Sequence, residues 1–79
     1  MHINYIALGG RIRTARIEKG LTQQTLAERI NICPSYMSHI ENGNSIISLQ
    51  VFTAIANELD VSADTLLHES LNITEQSSS

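Results

Sequence analysis

Between Thr22 and Glu41 the chain reads TQQTLAERINICPSYMSHIE, a run that sets two helix starts and the stop between them within twenty residues. Thr22 is a good N-cap for a helix whose apolar residues Leu26, Ala27 and Ile30 repeat at helical spacing. Asn31, which tolerates the left-handed region, closes that helix. Pro34, just after Cys33, opens the next one, because the amide hydrogen it lacks would go unpaired at the first helical position anyway. Met37 and Ile40 form its inward side, and Asn42 and Gly43 end it. Two such segments joined at Asn31 and Ile32 are expected to make a rigid corner, with Ala27 small enough for close approach and Ile32 plugging the gap.

Three further helical patterns flank this corner. The first is carried by Ile6, Leu8, Ile12, Ala15 and Arg16, with Arg11, Arg13 and Lys19 to the sides and Gly20 as its left-handed stop. Ser48 opens the fourth, the most hydrophobic, on Leu49, Phe52, Ile55, Ala56 and Leu59. Ser62 caps a fifth, with Asp64 in the first turn where the helix dipole favours an acid and Leu66 and Leu67 turned inward. The expected fold is all-α: one compact five-helix domain over 6–71, with the corner at 22–41 and a frayed polar tail over 72–79. A chain of 79 residues buries only ~60% of the surface its unfolded form exposes, so the core must be economical.

The formal net charge of −3 hides an uneven distribution. Residues 1–40 hold all five basic side chains, Arg11, Arg13, Arg16, Lys19 and Arg29, against Glu18 and Glu28; residues 41–79 hold six acids and no base. One half suits a phosphate backbone and the other does not. Cys33 is the single cysteine, which rules out an intramolecular disulfide, and no leader pattern is visible, so a cytoplasmic location is expected. The longest apolar runs are far short of the ~20 residues that cross a bilayer, so no membrane partner is expected.

From Leu8 to Leu67 the chain resembles the Cro and lambdoid-repressor type of helix-turn-helix domain, the XRE family of transcriptional regulators. The resemblance is carried by Arg11 and Arg13, Arg16, Gly20-Leu21-Thr22-Gln23, Leu26-Ala27, the run Tyr36-Met37-Ser38-His39-Ile40-Glu41, Gly43, Leu49, Ile55-Ala56, Leu59, Val61 and Leu66-Leu67. It implies a lambda-repressor-like five-helix domain, usually dimeric, that recognises an inverted repeat in double-stranded DNA and represses or activates nearby genes. Two places depart from the pattern. Asn31 and Cys33 stand where relatives mostly have glycine and serine or threonine, and Ser45-Ile46-Ile47-Ser48 lacks a frequent proline.

In such a corner one helix rests on the DNA backbone and the second enters the major groove. Ser35 and His39, four residues apart, share a face, flanked by Pro34 and Ser38 and opposite Met37 and Ile40. By the resemblance these four meet base edges. Phosphate contacts are expected from Thr22 and Gln23 at the start of the second helix, where the dipole adds positive charge, from Arg13, from the Tyr36 hydroxyl, and from Asn42, Gly43, Asn44 and Ser45, read as a loop that offers backbone amides and short donors. Arg16 on the inward stripe with Ile12 needs a counter-ion, and Glu41 beside the inward Ile40 is expected to supply it as a largely buried pair. Val61, Leu66, Leu67 and Leu71 exceed what one face of a short helix can bury, so Leu67 and Leu71 are expected at the seam of a homodimer.

Catalysis has little support. Cys33, His2, His39 and His68 do not form a nucleophile with a base, and no spacing resembles a zinc site or a phosphate-binding glycine loop. No enzyme activity, metal or cofactor is expected. Cys33 stands at a helix N-terminus, where a thiol can sense oxidants or merely replace serine as a poor cap. The competing reading of the same fold is an antitoxin-like or other protein-interaction module. Such proteins generally add a partner-binding segment, and only about ten polar residues follow the fifth helix here.

Overall fold

The computed structural model describes residues 4–67, which form five helices and no strand. They are α1 Tyr5–Glu18, α2 Gln23–Arg29, α3 Pro34–Glu41, α4 Leu49–Leu59 and α5 Ala63–Leu67. The expected frayed tail, 72–79, and Leu71 lie outside the described residues.

Side-chain caps start the helices. Asn4 Oδ1 accepts from the Ala7 amide at 3.1 Å, Thr22 Oγ1 from Thr25 at 3.0 Å, Ser48 Oγ from Val51 at 3.1 Å and Ser62 Oγ from Thr65 at 3.0 Å. Each satisfies an amide that the first turn leaves without an intrahelical partner. The exception is α3, where Cys33 makes no side-chain cap hydrogen bond and Pro34 removes one of the amides that would need it.

Four helices stop in the same way, on a residue with left-handed backbone: Gly20 (φ +75°), Asn31 (+64°), Gly43 (+75°) and Asp60 (+57°). At each, two amides fold back onto the last free carbonyls. At α2, Asn31 N–H donates to Glu28 O at 3.2 Å and Ile32 N–H to Ala27 O at 2.9 Å; at α4, Asp60 and Val61 donate to Asn57 and Ala56. This is the paired closure of the Schellman motif. Asp60 is the one stop without a glycine or asparagine signal in the sequence. Because glycine occupies the left-handed region at no steric cost, Asp60→Gly is expected to raise stability by about 1 kcal/mol. A thermal midpoint unchanged or lowered by that substitution would show that the Asp60 side chain contributes something beyond its backbone.

The core is drawn from every helix: Leu8 and Ile12 of α1, Leu26 and Ala27 of α2, Met37 and Ile40 of α3, Phe52, Ile55, Ala56 and Leu59 of α4, and Leu66 of α5. Leu67 is half-buried against it. Two expected core residues are not in it. Ile6 is 72% exposed, because it lies two residues before Leu8 and so points to the opposite side of α1. Leu49 is 79% exposed: it is the first residue of α4, a turn before Phe52, where no neighbouring helix covers the stripe.

Helix α1 meets the C-terminal end of α3 almost backbone to backbone. A Cβ placed on Gly9 would overlap the Ile40 carbonyl oxygen and stand 2.6 Å from that of Glu41. Gly43 is similarly tight, since a Cβ there would lie 2.7 Å from Ile6 Cα. These two glycines let α1 lie across the end of α3 and set the geometry of the site.

Candidate nucleic-acid interface

Helices α2 and α3 form the expected corner. Ala27 is fully buried at its inside, and Ile32 packs half-buried in the turn. Met37, Ile40 and Glu41 face inward from α3, leaving Pro34, Ser35 and His39 exposed and Ser38 partly so. Ser35 and His39 are one turn apart, roughly 6 Å along the axis. The four residues expected to meet bases thus lie on the open side of one short, firmly backed helix.

Arg16 and Glu41 form the expected ion pair. Arg16 Nε donates to Glu41 Oε2 at 2.7 Å and Nη2 to Oε1 at 3.1 Å, with the carboxylate side chain 1% and the arginine 11% exposed. The third guanidinium nitrogen donates to the Leu21 carbonyl at 2.8 Å, so one arginine ties α1, the turn before α2 and the end of α3 together. A partner absent from the sequence reading completes the cluster: Gln23 Nε2 donates to Glu41 Oε1 at 3.0 Å. Gln23 carries no local sign of this bond, which spans eighteen residues.

The loop after α3 differs from expectation. Its amides were expected to be open to a ligand, but those of Asn42, Gly43 and Asn44 donate to Ser38, Ile40 and His39 at 3.0, 3.1 and 2.8 Å. Closing the helix consumes them, as helix-end carbonyls require partners. What these residues still present outward is the exposed side chains of Asn42 and Asn44, with Ser45 partly buried. The Tyr36 ring packs at the core edge as expected, while its hydroxyl donates to the Ile46 carbonyl at 3.3 Å and holds this loop against α3.

The cations are mostly committed. Arg16 is in the buried pair, and Arg29 bridges to Glu58 of α4 at 3.0 Å. Arg11 is half-buried, lining a cleft of about 540 Å³ between α1 and α5, while Arg13, Lys19 and Thr22 are exposed. Cys33 is exposed. Among the described residues there is no group of three metal-ligating side chains, and no helix is long and apolar enough to cross a membrane.

Five short helices with a buried α2–α3 corner, a polar outer strip on α3 and an arginine–glutamate clasp define a helix-turn-helix protein. The chain belongs to the helix-turn-helix domain family, whose sequence profile matches residues 9–70, in its Cro and lambdoid-repressor (XRE) branch. That family consists of transcription regulators and not of enzymes. The chain is 41% identical over 63 residues to the HTH-type transcriptional regulator SinR of Bacillus licheniformis, covering 78% of this chain and 57% of that one. It is 34% identical over 71 residues to the immunity repressor protein of Bacillus phage phi105, covering 90% and 49%. The chain therefore spans about half the length of these relatives. Among solved structures it is similar to SinR, the master regulator for biofilm formation, in complex with DNA: TM-score 0.71, 41% identity, 76% of this chain and 97% of that one. The restriction-modification controller protein C.AhdI of Aeromonas hydrophila gives a TM-score of 0.75 at 34% identity, covering 78% and 94%.

Proposed function

We propose that this chain is a sequence-specific DNA-binding regulator that acts as a repressor, a homodimer on an inverted-repeat operator. The observation that carries this reading is the exposed strip Pro34, Ser35, Ser38 and His39 on a helix whose other side is locked by Met37, Ile40 and the Glu41 clasp. The similarity to SinR, solved in complex with DNA, and to a phage immunity repressor supports it. Helix α3 lies in the major groove, and Ser35 and His39 hydrogen-bond to base edges. Thr22, Gln23, Asn42, Asn44, Ser45 and Arg13 hold the backbone, whereas the Tyr36 hydroxyl, whose proton goes to the Ile46 carbonyl, and Gly43, whose open side is filled by Ile6, shape the loop instead of touching DNA. With few uncommitted cations, neutral donors carry much of the phosphate contact.

A single small domain with five basic residues, two of them paired with acids, neutralises few phosphates and binds weakly alone, and two copies on a palindrome solve that economically. Leu67 and Leu71 form the seam, which leaves Asp60 and Asp64 away from DNA. Selection from a random DNA pool tests the reading: an enriched inverted repeat supports it, and a pool without enrichment refutes it. On the recovered duplex, Ser35→Ala or His39→Ala is expected to change relative affinity among base variants by about 1 to 3 kcal/mol, the worth of a lost pairing. Gln23→Ala should weaken all variants alike, since phosphate contacts carry no sequence information. A preference profile left intact by His39→Ala would remove that residue from the base-reading set.

A further inference from the structure

The buried pair explains how α1 is tied to α3, but it leaves one contact unused. Glu41 Oε1 accepts from two donors, Arg16 Nη2 at 3.1 Å and Gln23 Nε2 at 3.0 Å. An ionised carboxylate only accepts hydrogen bonds, so the nitrogen of the Gln23 amide must face it and the carbonyl oxygen must face away. One of the two amide hydrogens is taken by this bond, and the other is left over. Gln23 is the first residue of α2, half-buried, with Thr22 as the cap before it. Its exposed neighbour Gln24 instead donates to Glu28 Oε2 one turn along the same helix, at 3.2 Å.

We propose that Glu41 is a positioning residue for DNA binding: its buried carboxylate fixes the rotamer and flip of the Gln23 amide in the free protein, so that the second amide hydrogen is already aimed at a phosphate oxygen. This rests on the reading of the chain as a DNA-binding regulator. Glutamine is among the side chains with the most rotamer freedom, and ordering it at the moment of binding subtracts from affinity. Here the order is established before DNA arrives, by a charge-assisted bond to a group that cannot turn away, because Arg16 holds both of its oxygens. Arg16 thus acts on the interface at one remove without touching the DNA through this route.

Two measurements decide it. In the free wild-type chain, one side-chain amide proton of Gln23 is expected to resonate downfield and exchange more slowly than those of the exposed Gln50. Gln23 signals indistinguishable from Gln50 overturn the proposal, and this arm needs no variant to fold. The second arm compares Gln23→Ala in the wild type and in Arg16→Met/Glu41→Met, where apolar side chains of similar volume replace the pair and preserve the fold. Affinity for the duplex recovered from the random pool is corrected for the folded fraction measured in urea. Removing the anchor is expected to weaken binding about two- to tenfold, the worth of one side chain ordered in advance. Adding Gln23→Ala to the double variant should then cost less than it does in the wild type. A merely structural Glu41 predicts equal losses in both backgrounds, and that result overturns the positioning role while leaving DNA binding intact. A wild-type chain that selects no DNA overturns both readings, whatever the amide signals show.

Discussion

Replacing Glu41 by alanine is expected to lower the stability of the fold by about 3 to 5 kcal/mol, because it strands a buried guanidinium without its counter-charge. The carboxylate is 1% exposed and receives three hydrogen bonds, two from Arg16 and one from Gln23. Truncating it leaves those donors facing a void from which water is largely excluded. The bond from Arg16 to the Leu21 carbonyl survives, but it compensates no charge. Urea denaturation checks this through the midpoint at constant slope, and a midpoint that does not move would show that the pair contributes nothing net. The apolar replacement of both partners is expected to behave differently, near neutral or better, since the charge and its partner then leave the interior together.

Gly9→Ala is the second large effect, and the neighbouring Gly10 supplies its control. Both glycines lie inside α1, where alanine is intrinsically favoured by about 1 kcal/mol. At Gly10 a Cβ meets nothing within 4 Å, so Gly10→Ala should stabilise by roughly that amount. At Gly9 it would run into the Ile40 and Glu41 carbonyl oxygens, backbone atoms that cannot rotate aside. Relief requires α1 to lift from the end of α3, which also stretches the Arg16–Glu41 clasp. A loss of about 3 kcal/mol, the upper end for overpacking, is expected. Thermal melts of the two variants should therefore move in opposite directions. Equal and favourable shifts would mean that α1 and α3 are not in backbone contact.

The elements that could be read from sequence are those determined within a few residues of chain. Thr22, Ser48 and Ser62 cap helices because a hydroxyl can reach an amide three residues on, and Gly20, Asn31 and Gly43 end them because of their own backbone preferences. The Arg16–Glu41 pair was legible for a different reason: a charge on an apolar stripe demands a partner, Glu41 stands beside the inward Ile40, and the resemblance implies the same pair. Features set by tertiary contact were not. Gly9 looks like any weak helical residue until the approach of α3 is known, although a glycine inside a helical pattern is itself a sign of close packing. Leu49 is an apolar residue at a helix start, and only the position of the neighbouring helices shows that nothing covers it, whereas the exposure of Ile6 follows from the helical period that buries Leu8. The amides of residues 42–44 were read as open because the residue types are those of a loop, whereas the carbonyls of α3 claim them.

The central claim, two chains reading one inverted repeat through α3, is tested most directly by sedimentation of the chain with the duplex it selects. The account predicts two chains per duplex at saturation, with half-site centres one helical turn, about 34 Å, apart, so that both copies of Ser35 and His39 face successive major grooves on one side. Leu71→Asp, placed at the proposed seam, should weaken both self-association and DNA binding. A single chain per duplex at saturating concentration, on a site without twofold symmetry, would contradict it.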